Sequence, residues 1–355
     1  CFSYVELIDI TYYLNHYYYV SLVAFLLIFV PANRGFSFDA KRNPSIAQSN
    51  VSRWCILIFQ FQITVVYLYA GLAKINSDWL LNALPLAMWL PAKSDLPIIG
   101  TLFKYKLTAY VFSWFGMLFD TFIVVFLLFK RTRWVAYIAV IIFHVLTGIL
   151  FRIGVFPLVM IFSVLIFFSE GFHKNLLSRL AKLINYNELL SNEHKSDVSP
   201  KTKNRLIIPS ILVFFIFQFL FPWRYLLYPG NLFWTEEGYR FSWRVMLMEK
   251  AGTATFFVKD GEEGREGSVI NNQFLNAHQE KQMAMQPDMI LQYAHLLEEH
   301  YKEKGMDDPQ IRAEVWVTLN SRPASLLIDP SLDLTEIEDS WEHKDWIMPY
   351  PNNPK

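Results

Sequence analysis

Apolar residues along this chain gather into blocks of membrane-crossing length. Six stand out, approximately Tyr17–Val30, Trp54–Ala73, Leu107–Phe129, Trp134–Leu150, Gly154–Ser169 and Leu206–Phe221. A helix crosses a bilayer with about 20 mostly apolar residues. The blocks lack turn residues and the period-two alternation of a spanning strand, so the pattern predicts helices. The first block is short and extends back through YVELIDITYYLNHYYY. After Phe221 the pattern changes. FSWRVMLM and TATFFVKDG predict two strands joined by a short turn, and Asp260-Gly261 marks the turn that follows. PDMILQYAHLLEEHYKEKG predicts an amphipathic helix, with proline at its start, Ile290, Tyr293, Ala294 and Leu297 on its apolar face, and Gly305 as its stop. AEVWVTLN alternates as a strand. The expected fold is a multi-pass all-α transmembrane domain over residues 1–222. An α+β extramembrane domain with a β-sheet is expected over 223–355.

Composition and charge sharpen this. The chain has 355 residues, of which 53% are hydrophobic and 17% aromatic. Its net charge is zero, yet basic residues dominate up to Pro222 and acidic ones after it. That split suits a membrane body carrying a soluble domain. No basic stripe dominates either part, so nucleic acid is not an expected partner. The loops on one side carry Arg34, Lys41, Arg42, Arg53, Lys130, Arg131, Arg133, Lys174, Arg179, Lys182, Lys195, Lys201, Lys203 and Arg205. The opposite loops carry Lys93, Lys104, Lys106 and Arg152. Basic loops stay in the cytoplasm, which puts the acidic domain on the periplasmic or lumenal side of an integral membrane protein. LPLAMWLPAKSDLPIIG falls in an outer loop and reads as an interfacial or re-entrant piece. NELLSNEHKSDVSPKTKN is polar and reads as mobile. The chain begins at Cys1 without a signal peptide and reads as lacking its true N-terminus. Cys1 and Cys55 are the two cysteines, so the acidic part holds no disulfide framework and no cysteine metal site.

Ionisable groups inside apolar blocks are expensive and are candidates for function. Lys74 ends the second block, in YLYAGLAKINSDWL. It fits a lysine anchoring a helix end at the interface, and it equally fits a general base, because an amine sheltered from water can take up a proton. Ala70 and Gly71 lie one turn back and would leave room beside the amine, or would serve helix packing. Tyr67 lies two turns back. Asp78 and Trp79 follow as a candidate ion partner and an interfacial anchor. His144 lies in VIIFHVLTGIL toward the outer side, Asp120 near the middle of GMLFDTFIVV, and Asn15-His16 at the outer end of the first block. Each has a plainer reading: a packing histidine, a structural ion pair with Lys74 or His144, and a helix cap. The outward clustering of Asn15, His16, Lys74 and His144 points to one outward-opening site. No phosphate-binding loop, Ser-His-Asp elbow or HExxH motif occurs. His144 and His173 fall on opposite sides, so they form no metal pair, and no metal is expected.

At these residues the chain resembles the vitamin K-dependent γ-glutamyl carboxylases and their bacterial relatives with an HTTM domain. LNHYYYVSLVAFLLIFVPANRGFSFDA, VVYLYAGLAKINSDWL, GMLFDTF, FHVLTGILFRIGVFPLVMI, GYRFSWRVML and PQIRAEVWVTLNSRP…DP each resemble a stretch of that family, in its order and spacing. The resemblance implies an enzyme that carboxylates glutamate in a peptide or protein, using reduced vitamin K (phylloquinol or menaquinol), O2 and CO2. A lysine deprotonates the hydroquinone, which reacts with oxygen. The resulting strong base removes the γ-proton of glutamate, and the carbanion captures CO2 while the quinone epoxide forms. Lys74 falls on the catalytic lysine of the family. His16 and His144 fall on reaction-centre positions, and Asn15, His16, Asp120 and Tyr67 on quinone-binding ones. The chain departs from animal relatives at Ala73, where they have a second lysine. It has Ala87-Met88 where relatives often carry an arginine, and Met248-Glu249 where animal relatives show a histidine. Two other readings stay open: a quinol epoxidase or oxidase of the same fold that does not carboxylate peptide, and a non-enzymatic membrane scaffold or transporter.

Overall fold

A computed structural model describes residues 2–35, 37–48, 50–151, 153–183, 206–261 and 264–351. Arg152, Lys195, Lys201, Lys203, Arg205 and the polar stretch 187–204 lie outside the described residues. The chain divides into two compact units. One comprises Cys1–Ser3, Leu14–Leu72 and Trp114–Leu220; the other comprises Tyr4–Tyr13, Ala73–Ser113 and Phe221–Lys355.

The first unit is helical. Among the described residues, four helices are long and apolar enough to cross a membrane: Trp54–Ala73, Lys106–Leu128, Arg133–Leu150 and Ile207–Leu227, the last including a terminal 3₁₀ stretch. Two of the expected spans are shorter. Asn15–Leu27 is a 13-residue helix, and Phe156–Phe167 is an apolar helix ending in a 3₁₀ turn. Leu26, Ile58 and Ile211 come from three of these helices and close one core cluster, with Trp54, Phe59, Phe214 and Phe215 packed around it. Outward-facing apolar residues recur at helical spacing; on Lys106–Leu128 they include Val111, Phe115, Leu118, Phe122, Val125 and Phe126. In water such a belt would be a liability, and against acyl chains it is a matched surface.

Gly71 explains one close approach. A Cβ there would stand 2.3 Å from Thr121 Oγ1 and 2.6 Å from the Thr121 backbone nitrogen. The small residue lets the 54–73 and 106–128 helices touch backbone to side chain. Of the two roles open for Ala70-Gly71, Gly71 takes the packing one, and its space is filled by Thr121 rather than left open beside an amine.

The second unit holds an antiparallel four-stranded sheet in the order β2-β1-β3-β4. Its strands are β1 Lys250–Asp260, β2 Gly267–Ser268, β3 Pro309–Leu319 and β4 Ser325–Leu326. β1 and β3 pair along their whole length, from Lys250 opposite Leu319 to Asp260 opposite Pro309. Alternate β3 residues Ile311, Ala313, Val315 and Val317 are buried, as are Ile290, Ala294 and Leu297 of the Pro287–Glu303 helix. Burying each such aliphatic side chain is worth roughly 1.5–3 kcal/mol. The expected helix and the AEVWVTLN strand are therefore present.

FSWRVMLM is not a strand. It is irregular chain in which Phe241, Trp243 and Met246 have φ near +57° (57°, 58° and 56°). Its aromatic and β-branched residues suggest a strand, but the positive φ values break the ladder. The segment instead buries Trp243 and Leu247 and holds Ser242 against Arg224, whose Nη1 donates to the hydroxyl at 2.9 Å. LPLAMWLPAKSDLPIIG forms short helical turns rather than a span, with Leu86, Leu90, Gly100 and Phe103 buried.

Candidate active site

In the helical unit the structure brings together two residues that sequence places far apart. The Tyr67 hydroxyl and His144 Nε2 lie 2.8 Å apart, and both side chains are buried. When Tyr67 donates, Nε2 is the acceptor and the histidine proton sits on Nδ1. His144 Nδ1 is itself buried, with no hydrogen-bond partner among the described residues. A buried polar atom left this way costs about 1–3 kcal/mol unless something else meets it.

Aromatic rings surround this pair. The Phe156 ring stands 5.5 Å from the His144 ring and 5.8 Å from the His16 ring. Phe143 and Phe119 stack 4.1 Å apart, and Tyr67 meets Phe119 edge-on. His16 and Asp120 are buried, and Asn15 is half-buried. Asp120 and Tyr19 act electrostatically on the Tyr67 hydroxyl, and Tyr19 shares a hydrogen bond with Ser163. Asn15 opens its helix at the first helical position, while the cap position belongs to Leu14, without a side-chain cap bond. The cap role expected of Asn15-His16 is therefore not the one they take.

Lys74 belongs to the other unit. It follows the last turn of the 54–73 helix, and only 5% of its surface is exposed. Its Nζ stands 5.4 Å from the centroid of the Trp79 ring, a cation–π distance. Trp79 is buried rather than an exposed interfacial anchor, and its indole N–H donates to the Ser113 carbonyl at 2.8 Å. Asn76 caps the Ser77–Asn82 helix that carries Asp78 and Trp79.

Asp78, the candidate ion partner for Lys74, is engaged elsewhere. Arg322 grips its two carboxylate oxygens at 2.5 and 2.8 Å, and Asn320 Nδ2 donates to it at 2.7 Å. Burial alone would push the Asp78 carboxyl up; hydrogen bonds from Arg322 and Asn320, with the Arg322 charge, outweigh it and leave the carboxyl below its ordinary range. Asn320 and Ser321 form the β3–β4 turn, with φ of 51° and 62°, and Arg322 N–H closes it on the Leu319 carbonyl. Asn320 Oδ1 also accepts from the Glu249 N–H at 2.9 Å, and the Glu249 carboxylate accepts from the Trp89 indole at 2.6 Å. One asparagine thus ties the lysine-bearing segment to the sheet.

A second polar cluster lies in the same unit. Lys250 Nζ donates to Glu236 and to the Trp234 carbonyl, both at 2.8 Å, while Arg240 pairs with Asp288. Burial drives the Lys250 amine below its usual range, and Glu236 opposes that shift. None of Arg322, Asn320, Arg240 and Lys250 was among the expected site residues. Nothing local in NSRP marks Arg322 before the fold places it. Gln62, wholly buried in the 54–73 helix with no described partner for its amide, was legible as a polar residue in a span. Among the described residues no three His, Cys, Asp or Glu side chains gather as metal ligands.

Helices fit to cross a membrane thus precede a small antiparallel sheet, with buried imidazoles in the former. The family model described as HTTM domain matches residues 1–172, and that described as vitamin K-dependent gamma-carboxylase, lumenal domain, matches residues 203–353. The chain belongs to the vitamin K-dependent gamma-carboxylase family, as a homologue of the HTTM type. Its function is accordingly carboxylase-related, and it is membrane-associated. No solved structure matches the chain.

Proposed function

We propose that the chain is a peptidyl-glutamate carboxylase that couples γ-carboxylation to oxygen-dependent epoxidation of a reduced naphthoquinone. The observation that carries this reading is the Lys74 amine, withdrawn from solvent beside Trp79 at the end of an apolar helix. Lys74 Nζ accepts the proton of a quinol hydroxyl. Asn15, His16, Tyr67, Asp120 and His144 hold the quinol. The unmet Nδ1 of His144, with Phe156 beside both imidazoles, suits a flat ring bearing hydroxyl oxygens. When bound, the reduced vitamin K supplies, with O2, the base strong enough to take the γ-proton of glutamate, and CO2 is the carboxyl donor. Apolar walls keep water from competing for that proton. In this reading residues 1–222 form the membrane domain and 223–355 face the periplasm or lumen, where the glutamate peptide arrives.

A second reading, quinol epoxidation without carboxylation, draws on Glu249. Met248-Glu249 stands where animal relatives show a histidine, and the Glu249 carboxylate is tied to Trp89. The test uses purified full chain in lipid with phylloquinol or menaquinol, a glutamate peptide and labelled bicarbonate. Lys74→Ala abolishes epoxide formation while membrane expression persists. Unchanged epoxidation in that variant removes Lys74 from the chemistry. Epoxide without label incorporation rejects carboxylation and leaves the second reading.

A further inference from the structure

Phe168 and Ser169 separate the Glu170–Leu183 helix from the apolar segment ending at Phe167. Its first turn is fastened to that segment: a ring nitrogen of His173 bonds the Leu165 carbonyl at 3.1 Å, and Phe172 lies 4.5 Å from the Phe168 ring. Phe172 also meets Trp134 edge-on at 5.5 Å. Trp134 sits in the first turn of the Arg133–Leu150 helix, beside Lys130, Arg131 and Arg133. Arg133 donates to the carbonyls of Leu127 and Leu128. The start of one apolar helix and the end of another thus fix the level of the 170–183 helix.

Beyond that anchor the helix separates its side chains. At the 3.6-residue repeat, Phe172, Leu176, Leu180 and Leu183 share one narrow stripe, Arg179 flanks it beside Phe172, and Lys174, Ser178 and Lys182 lie away from it. Leu176, Leu180 and Leu183 are 36%, 47% and 79% exposed. Lys174 pairs with Glu170 at 2.7 Å in an exposed contact that does not withdraw it from the surface. A leucine stripe at the height where the apolar helices end, with Arg179 at its edge and Lys174 and Lys182 away from it, matches the boundary between acyl chains and headgroups.

We infer that the Glu170–Leu183 helix lies in the plane of the membrane surface, its leucines among the acyl chains, and that Lys174, Arg179 and Lys182 bind anionic phospholipid headgroups. The charge complementarity and the continuity with the membrane-crossing helices select a lipid surface over a protein partner. The inference does not depend on the carboxylase reading.

The test uses full chain with Cys1 and Cys55 replaced by serine and a bimane probe on Leu180→Cys or Ser178→Cys. Each is reconstituted in phosphatidylcholine vesicles with and without phosphatidylglycerol. The Leu180 probe is quenched by lipid-borne nitroxide and shielded from aqueous iodide, and the Ser178 probe shows the reverse. Brominated phosphatidylglycerol quenches the Leu180 probe in preference to brominated phosphatidylcholine. One cation near an anionic surface is worth roughly fivefold, so with Glu170 offsetting Lys174 the two remaining cations give a preference on the order of 25-fold. It falls to near parity in K174Q/R179Q/K182Q. Equal access of iodide to both probes overturns the inference, as does a Leu180 probe shielded from iodide and lipid alike, or a preference that survives the triple variant. The Leu180 and Ser178 probes, in chain that keeps Lys174, Arg179 and Lys182, test the apolar face even if the triple variant does not fold.

Discussion

Replacing Arg322 with alanine tests the tie between the sheet and the lysine-bearing segment. The Asp78 side chain is 13% exposed and that of Arg322 22%. Removing the guanidinium strands a largely buried carboxylate with Asn320 as its remaining strong donor. Breaking a fully buried pair this way costs about 3–5 kcal/mol, and partial exposure lowers that here to about 2–3 kcal/mol. For a unit of this size that is a midpoint drop of roughly 5–10 °C, read by tryptophan fluorescence during heating in detergent. A double-mutant cycle of R322A with D78A isolates the pairwise part, expected at about 2 kcal/mol. The pH dependence has a definite sign. A carboxyl held below its unfolded value of about 3.9 stabilises the fold above that value, and the gain is lost as pH falls through the folded value. The advantage of the parent chain over D78N is therefore full at neutral pH and shrinks below about pH 4. A shift under about 1 °C for R322A, or a cycle that closes additively, would refute the reasoning and reduce the pair to a screened surface contact.

Other perturbations follow from the geometry. Gly71→Ala drives a methyl into Thr121 and should lower the stability of the helical unit by about 1–3 kcal/mol; unchanged thermal stability in lipid would contradict the close approach. Tyr67→Phe removes the hydroxyl from His144 Nε2 and should cost about 1–3 kcal/mol, with epoxidation reduced in the proposed reaction. A variant matching the parent in both would dismiss the pair. Ile290→Ala opens a cavity under the sheet and should destabilise the second unit by about 2–5 kcal/mol, measured by chemical denaturation. Parent-like denaturation would place that helix outside the core.

What could be read before the fold, and what could not, divides by the range of the interaction. The 54–73 helix and the Pro287–Glu303 helix were legible because periodicity and proline are local signals. FSWRVMLM misled because β-propensity describes side chains, whereas the segment is governed by backbone angles at Phe241, Trp243 and Met246. The polar residues in spans, Lys74, Asp120 and His144, announced themselves by their cost, and all three are buried. Their partners did not. Tyr67 finds His144 across 77 residues and Asp78 finds Arg322 across 244, and no pattern along one chain carries such pairings. Gly71 was ambiguous for the same reason: only Thr121 on another helix decides whether a missing side chain makes room or is already occupied.

The long β1–β3 ladder gives the turn at Asn320 an unusual reach. Paired at every step from Lys250 to Asp260, β3 has little freedom to flex along its length. At the end of that ribbon Asn320 bonds Asp78, four residues beyond Lys74. In this unit the segment that carries Lys74 is thus held in part from the end of the β1–β3 ladder.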